Sequence, residues 1–252
     1  MNGTVICDLD GVVYRGGVGI PGAGEALRRL EDDGWRILFC TNNSTRTRQA
    51  VARRIGELSG YPATAGQVVG SAEAASTLLV PERPPTYVLG GDGIREALAT
   101  AGIPEVSDAT RAGAVVVGLA TDCDYRTLAA AAGAVRRGAR LVATNTDPTY
   151  PAADGLRPGA GAIVAAVETA AERRAEVAGK PYEPIRRLLR ERVGDGAVWV
   201  VGDREDTDLE LARAEGWKAA LVLTGATMSA DELTAEADLV LGSLADLPAH
   251  IG

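Results

Sequence analysis

An apolar segment that ends in two aspartates near the start of the chain constrains the fold most. Val5–Leu9 has the pattern of a buried strand, Asp8 and Asp10 lie at its carboxyl end, and Gly11 follows at once. Side chains two residues apart on a strand share one face, so both carboxylates can converge beyond the strand. Open parallel α/β sheets bind ligands at that edge. The segment predicts either a reaction site with a metal or a turn in which Gly11 supplies an unusual backbone angle.

Two further apolar strands end in polar residues. Thr41-Asn42-Asn43 lies between a strand and a helix, where such side chains either cap the helix or, with exposed N–H groups, bind an anion. The apolar strand Val198–Val201 is followed by a run of acids from Asp203 to Asp208. Strand and helix patterns alternate along the chain, which predicts an α/β fold with a parallel sheet.

Three prolines within Pro81–Pro85 form a stiff connection after the first α/β series. A second series follows, and the pattern of the first returns after Ala178. We therefore predict one parallel sheet built from residues 1–81 and 178–252, with residues 82–177 inserted as a separate α/β domain. An insertion at the ligand edge of the sheet would cover the site as a lid.

Composition excludes several classes of function. Acidic residues outnumber basic ones, 34 to 26, so the net charge of −8 offers no footprint for nucleic acid. No apolar run reaches the ~18 residues of a membrane-spanning helix, and we expect no membrane partner. Three widely spaced cysteines and the lack of a visible secretory signal favour the cytoplasm. The only histidine is His250, so carboxylates, lysine or hydroxyls must carry any chemistry.

Two local patterns match known signatures only in part. Gly17, Gly19 and Gly22 have the G-x-G-x-x-G spacing of a dinucleotide site, but they do not directly follow a strand and Pro21 interrupts them. We predict a flexible loop there, and a nicotinamide-dependent oxidoreductase is the alternative. Ser229–Glu232 has the capping-box spacing that predicts a helix start.

Four ordered motifs resemble those of the haloacid dehalogenase superfamily of phosphatases, in the branch of NagD and the p-nitrophenyl phosphatases. They are Asp8-Leu9-Asp10-Gly11-Val12-Val13-Tyr14, Thr41 to Arg46, Gly179-Lys180-Pro181, and Gly202-Asp203 through Thr207-Asp208. The resemblance covers nearly the whole chain. It implies a Rossmann-like core with an inserted cap of the C2 type.

The resemblance also implies a different role for each of the acids. Asp8 would attack phosphorus and form an aspartyl-phosphate. Asp10 would protonate the leaving alcohol and later deprotonate the attacking water. Mg²⁺ would be held by the carboxylates of Asp8 and Asp203 and by the backbone carbonyl of Asp10.

By the same resemblance, Thr41, the backbone near Asn42 and the ammonium of Lys180 would hold the phosphoryl oxygens. Asp208 would orient Lys180 or a metal-bound water, and Gly11 and Asn43 would support the site. The alternative for Lys180 is a solvated surface lysine.

Core residues would run the reaction and the cap would select the substrate. Asn145, Thr146 and Asp147 are candidate substrate contacts after a predicted strand, or else an Asx-type turn before Pro148. A cap without strong positive charge favours small monophosphates, such as sugar phosphates, glycerol phosphate, nucleoside monophosphates or p-nitrophenyl phosphate.

The chain departs from the branch at several positions. Glu205 stands where a small or apolar residue is common, and Asp206 adds a carboxylate that either competes for metal or, as we predict, faces solvent. The stretch Ala120–Asp124 is less basic than in relatives. Cys7 and Cys40 precede predicted catalytic residues and act either as buried apolar residues or in redox chemistry.

The sequence leaves open the type of phosphate transfer, whether the protein is an enzyme at all, and its oligomeric state. A phosphotransferase or phosphomutase would use the same aspartyl-phosphate as a phosphatase. A protein that only binds a phosphorylated ligand is compatible with the fold. The resemblance further implies that homodimers formed through the cap are common in this branch.

Overall fold

The computed structural model describes residues 2–152 and 155–251. The strands are β1 (Gly3–Cys7), β2 (Tyr14–Arg15), β3 (Val18–Gly19), β4 (Trp35–Thr41), β5 (Val68–Gly70), β6 (Thr86–Leu89), β7 (Ala114–Val117), β8 (Arg140–Ala143), β9 (Thr149–Ala152), β10 (Gly155–Pro158), β11 (Glu176–Val177), β12 (Ala197–Gly202), β13 (Lys218–Val222) and β14 (Leu239–Leu241). The α-helices are α1 (Ala23–Asp32), α2 (Arg48–Ser59), α3 (Ser71–Leu79), α4 (Asp92–Thr100), α5 (Tyr125–Arg136), α6 (Ala160–Ala171), α7 (Glu183–Arg190), α8 (Glu210–Glu215) and α9 (Pro248–Ile251).

The chain divides into two compact units. The first comprises Met1–Thr41, Arg48–Val69 and Arg186–Gly252, and the second comprises Asn42–Thr47 and Gly70–Ile185. The second unit is thus larger than the predicted insert, because it also takes in residues 42–47, 70–81 and 178–185. The assignment of residues 82–177 as a cap over the site stays a prediction.

A six-stranded sheet in the order β14-β13-β12-β1-β4-β5 is the centre of the first unit. β1 pairs in parallel with β4 on one side and with β12 on the other, so Cys7 lies opposite both Phe39 and Val201. All five residues of β1 are buried, as expected for a central strand covered on both faces. The carboxyl ends of these three strands therefore meet at one edge of the sheet, which is where the predicted catalytic residues follow.

Helix α1 shows how the sequence pattern produces the core of the first unit. Its buried residues Ala23, Ala26, Leu27 and Leu30 recur at helical spacing and pack in the same core cluster as the inward side chains of β1 and β4. Fully burying one leucine side chain contributes roughly 1.5–3 kcal/mol. Burial of the amphipathic stripe therefore stabilises the packing of the helix on the sheet.

The second unit has its own parallel sheet, in the order β11-β8-β7-β6. Every residue of β7 is buried, and α5 and α6 pack in the core of this unit. Asp124 caps α5 in a capping box with Thr127, which gives the Ala120–Asp124 stretch a structural role at the helix start. The antiparallel hairpin of β9 and β10 follows β8 along the chain and was not predicted.

The predicted fold class, an α/β fold with a parallel-sheet core, is confirmed. One local prediction is wrong. The glycine-rich loop contains a small antiparallel hairpin, in which Tyr14 pairs with Gly19 and Arg15 pairs with Val18. The predicted helix start at Ser229 is confirmed, because the Ser229 side chain accepts the N–H of Asp231, but the helix is only the 3₁₀ turn Ala230–Glu232. Among the described residues, no helix is long and apolar enough to cross a membrane.

Candidate active site

Three aspartates of the first unit bring their carboxylates together. One oxygen each of Asp8, Asp203 and Asp208 lies within 4.8 Å of the other two. The sheet explains the first two members, because Asp8 follows β1, Asp203 follows β12, and these strands are paired. The backbone N–H of Asp8 continues that pairing by donating to the carbonyl of Val201 at 2.8 Å. We call these three residues the carboxylate cluster.

The loop after β13 holds Asp203 in place. Oδ2 of Asp203 accepts the N–H of Ala226 at 2.5 Å, and its backbone carbonyl accepts the N–H of Thr227 at 3.2 Å. A Cβ at Gly225 or at Gly11 would overlap the Asp203 carboxylate, and Gly11 also has a φ of +90°. Glycine is therefore required at both positions if the carboxylate is to keep this place.

Asp208 reaches the cluster from a π-helical turn, Glu205–Leu209. Its side chain is buried and packs so closely on Gly202 that a Cβ there would overlap it. Oδ2 of Asp208 accepts the N–H of Arg204 at 3.3 Å. Single π-helical turns often occur at functional sites, and this one turns Asp208 back toward the strand end.

The cluster has the donor set of a site for a hard divalent cation. Three carboxylates at this separation repel one another, and an ion that prefers oxygen ligands relieves that repulsion. Asp10 is not a member of the cluster as defined by side-chain oxygens. It lies in the turn after β1, where the N–H of Gly11 donates to the carbonyl of Tyr14 at 2.7 Å. The residues present therefore fit a magnesium ion, with the side chain of Asp10 left out of the carboxylate set.

Two other features of the first unit bear on the predicted site. Thr41 ends β4, the other neighbour of β1, and is 4% exposed. The hydroxyl of Thr224 donates to the carbonyl of Gly11 at 2.6 Å, which ties the loop after β13 to the turn after β1. No local pattern predicts this role of Thr224, because its hydrogen bond joins it to Gly11, 213 positions earlier in the chain.

Asn42, Asn145, Asp147 and Lys180 meet in the second unit. The side-chain amide of Asn42 hydrogen bonds with the backbone of Lys180 and with the carboxylate of Asp147. Asn145 donates to the carbonyl of Asn42 at 2.7 Å. Lys180 is only 4% exposed, so the alternative of a solvated surface lysine does not describe it.

The remaining predicted residues have local contacts. Asn43 forms a turn in which its Oδ1 accepts the N–H and the hydroxyl of Thr45, at 2.9 and 2.6 Å. Thr146 is exposed. Asp206 is exposed and pairs with Arg204 at 2.7 Å, outside the carboxylate cluster, in accord with the prediction that it faces solvent. Burial, and then the charge of Asp8, raise the pKa of the Cys7 thiol.

Sequence reasoning flagged Glu205 as a departure but found no role for it. Its carboxylate accepts the N–H and the hydroxyl of Thr234 and the N–H of Ala235, at 2.7–3.2 Å. These hydrogen bonds hold its pKa below the usual range for glutamate. Glu205 is therefore an anchor for the loop between β13 and β14, a contact that no local sequence signal indicates.

Comparisons with known proteins agree with the fold. The family described as haloacid dehalogenase-like hydrolase matches residues 5–104, and a second description, HAD-hydrolase-like, matches residues 177–247. D-glycerol 3-phosphate phosphatase of Mycobacterium tuberculosis is 40% identical over 92% of this chain, which spans 66% of that relative's length. Chronophin of Rattus norvegicus is 36% identical over 98% of this chain and 87% of its own.

A solved structure extends the comparison to three dimensions. It is the glycerol phosphate phosphatase Rv1692 of Mycobacterium tuberculosis in complex with magnesium. The two chains superpose with a TM-score of 0.86 and are 36% identical, and the match covers 97% of this chain and 75% of the phosphatase. The chain belongs to the haloacid dehalogenase-like hydrolases. The family and the hydrolase class predicted from the four motifs are thereby confirmed.

Proposed function

We propose that this protein is a Mg²⁺-dependent phosphatase that hydrolyses small phosphate monoesters through an aspartyl-phosphate. The carboxylate cluster of Asp8, Asp203 and Asp208 is the observation that carries the proposal. The Mycobacterium tuberculosis relatives support it, because they are named as glycerol phosphate phosphatases and one structure was solved with magnesium.

Asp8 is the nucleophile in this proposal. Its carboxylate attacks phosphorus, the ester oxygen leaves, and a phosphoryl group is carried by Asp8 until water removes it. Asp10 gives a proton to the leaving oxygen and takes one from the attacking water. The absence of the Asp10 side chain from the carboxylate cluster supports this role, since a carboxylate that binds metal is a poor proton carrier.

Asp8, Asp203 and the backbone carbonyl of Asp10 would hold Mg²⁺, which supplies positive charge beside the phosphoryl group when bound. Thr41 and the ammonium of Lys180 contribute hydrogen bonds to phosphoryl oxygens as charge shifts in the transition state. Asp208 supports the site from its position in the cluster. The backbone at Asn42 and the turn at Asn43 shape the phosphate-binding segment after β4.

The substrate in this proposal is a small phosphorylated metabolite. Its class is that of the glycerol phosphates, sugar phosphates and nucleoside monophosphates, and the net charge of −8 disfavours highly charged polyphosphates. We further propose a cytoplasmic location, which the three cysteines support, since they are not joined by disulfides. A homodimer belongs to the same proposal, and light scattering of the purified protein measures it.

Hydrolysis of a panel of phosphate esters tests the proposal. p-Nitrophenyl phosphate, glycerol 3-phosphate, glucose 6-phosphate and AMP are incubated with the metal-stripped protein, with and without added Mg²⁺. We expect inorganic phosphate to appear only with Mg²⁺. Asp8→Asn should reduce turnover by on the order of 10⁴-fold or more, because a neutral amide is a poor nucleophile.

Asp206→Asn is the matched control, because it removes an equal charge from an exposed neighbour of the cluster. It should retain wild-type turnover within about threefold, since exposed ion pairs contribute little. Undiminished turnover in Asp8→Asn would refute the mechanism. Transfer of labelled phosphate to an added alcohol instead of to water would assign the protein to the phosphotransferases.

A further inference from the structure

The amide of Asn42 lies at the centre of a buried hydrogen-bond network in the second unit. Its Oδ1 accepts the N–H of Lys180 at 2.8 Å, and its Nδ2 donates to the carbonyl of Lys180 at 3.3 Å. One side-chain amide thus pairs with both backbone groups of Lys180, as a neighbouring strand would. Because Asn42 is 8% exposed and Lys180 is 4% exposed, water is a poor substitute for either bond.

Asp147 reinforces the orientation of this amide that the backbone of Lys180 also selects. Nδ2 of Asn42 also donates to the two carboxylate oxygens of Asp147, at 3.1 and 3.3 Å. A carboxylate accepts hydrogen bonds and cannot donate them, so it selects the orientation that places the NH₂ group toward it. In the reversed orientation, the amide oxygen of Asn42 would face the carboxylate of Asp147 and the carbonyl of Lys180, which are both acceptors. Its NH₂ group would face the N–H of Lys180, which is a donor, so none of these hydrogen bonds could form.

The backbone of Asn42 is held as well. Its carbonyl accepts hydrogen bonds from Nδ2 of Asn145 and from the hydroxyl of Ser71, both at 2.7 Å. Oδ1 of Asn145 accepts the N–H of Asp147 at 3.1 Å, so the turn that presents Asp147 is built by the same residue that holds Asn42. Asn145 is 4% exposed and Ser71 is fully buried.

Gly179 allows the close approach on which the network depends. Its N–H donates to the carbonyl of Thr144 at 2.8 Å, and a Cβ at this position would lie 2.5 Å from both Oδ1 of Asn42 and the carbonyl of Thr144. Any larger residue would force Lys180 away from Asn42. The glycine before the lysine is therefore explained by packing against Asn42 and not by a special backbone angle.

We propose that Asp147 and Asn145 are positioning residues for Lys180, which they hold through the amide of Asn42, and that they do not contact the substrate. The proposal rests on the proposed function, in which the ammonium of Lys180 stabilises the phosphoryl group. For Asn145 and Asp147, the proposed positioning role replaces the two alternatives drawn from the sequence, which were a substrate contact and an isolated turn. It also limits Asn42 to binding phosphate through its backbone, because both ends of its side chain are used within the network.

Substitutions at Asp147 separate positioning from substrate contact. Asp147→Leu removes one of the two acceptors of the Asn42 NH₂ group and loosens the amide that holds Lys180. We expect kcat to fall about 10-fold or more, the scale of one lost buried hydrogen-bond partner. KM should change by less than about twofold, and the same fold loss should appear for p-nitrophenyl phosphate and for glycerol 3-phosphate. Asp147→Asn retains an acceptor oxygen and should recover most of kcat.

Asp92 provides the matched control. It lies in the second unit at the start of α4, its side chain is 84% exposed, and it belongs to none of the networks above. Asp92→Leu and Asp92→Asn should both leave kcat and KM unchanged. A KM that rises for one substrate and not for the other in Asp147→Leu would assign Asp147 to substrate contact and overturn the proposal, as would an unchanged kcat.

The chain has only two lysines, Lys180 and Lys218, which allows a test that does not depend on activity. Reductive methylation followed by peptide mass spectrometry compares the labelling rate of buried Lys180 with that of exposed Lys218 in the same sample. We expect Lys180 to label much more slowly in the wild type and in Asp147→Asn. In Asp147→Leu the ratio should rise several-fold, and an unchanged ratio would contradict the proposal.

Asn42→Asp answers the same question if the leucine variant does not fold. The new carboxylate keeps an acceptor for the N–H of Lys180 but has no donor for its carbonyl and repels Asp147. We expect kcat to fall about 10-fold or more, and wild-type kcat would contradict the proposal. If the wild type shows no phosphatase activity, the proposed function fails, while the labelling ratios still report whether the network holds Lys180.

Discussion

At the scale of single residues, the position of the Asp203 carboxylate depends on the absence of a side chain nearby. Gly225 lies against this carboxylate, and a Cβ would overlap it. The N–H of the next residue, Ala226, donates to the same oxygen at 2.5 Å. The glycine and the N–H together fix one member of the carboxylate cluster, which links a backbone feature to metal binding.

We therefore expect Gly225→Ala to displace Asp203 and to weaken the metal site. The Mg²⁺ concentration that gives half-maximal hydrolysis should rise about 10-fold or more, the effect of a disturbed supporting contact in a metal site. Gly66→Ala is the control, because the nearest atom to a Cβ there lies at 3.8 Å. Equal Mg²⁺ requirements in the two variants would show that Asp203 does not need this glycine.

The thiol of Cys7 is expected to be inert. Burial raises its pKa, and the neighbouring charge of Asp8 raises it further. A raised pKa keeps the thiol protonated at neutral pH, and only the thiolate is nucleophilic. Native protein treated with iodoacetamide at pH 8 should be labelled at Cys123, which is half-exposed, and not at Cys7. Labelling of Cys7 before unfolding would reopen its redox role.

At the scale of elements, the loop between β13 and β14 is fastened at two places to the segment after β12. Its first part bonds to Asp203 through Ala226 and Thr227, and its later part bonds to Glu205 through Thr234 and Ala235. The loop therefore depends on contacts with residues 203–205 for its order. This second fastening depends on the carboxylate of Glu205.

Glu205→Leu should release the later part of the loop. We expect faster amide hydrogen exchange at Thr234 and Ala235, because the N–H groups of both lose their acceptor. Asp206→Leu serves as the control, since Asp206 carries the same charge but pairs with Arg204 instead. Equal exchange rates in the two variants would mean that other contacts order the loop.

At the scale of the whole molecule, metal binding and the stability of the first unit should be coupled. Mg²⁺ that binds only the folded carboxylate cluster stabilises it by mass action, by about 2.7 kcal/mol at 100 times Kd. All three tryptophans, Trp35, Trp199 and Trp217, belong to the first unit, so their fluorescence follows its unfolding.

We expect the midpoint of the fluorescence transition to rise with Mg²⁺ and to return after EDTA. In Asp203→Asn the cluster loses a charged ligand, so the same Mg²⁺ concentrations should leave the midpoint unchanged. A parallel rise in both proteins would point to Mg²⁺ bound elsewhere, and no rise in the wild type would argue against a metal at the cluster.

Much of this molecule follows from local patterns in the sequence. Apolar runs predict β1, β4 and β12, and helical spacing of apolar residues predicts α1, because each of these signals is contained in a dozen residues. The small β2–β3 hairpin and the short strands β9 to β11 were missed. The two-residue strands β2, β3 and β11 carry too few side chains for a period to be recognised. β11 also pairs with β8, which lies far from it along the chain.

The sequence by itself determined the α/β class and, through four ordered motifs, the family, and the same motifs predict roles for the acids Asp8, Asp10 and Asp203. It did so because the chemistry of those motifs lies in adjacent residues. Only the tertiary structure decided that Asp208 completes the carboxylate cluster, that Glu205 anchors a loop, and that Asn42 pairs with the backbone of Lys180. These relations join residues brought together by strand order and buried hydrogen bonds, and separation along the chain leaves no local trace of them.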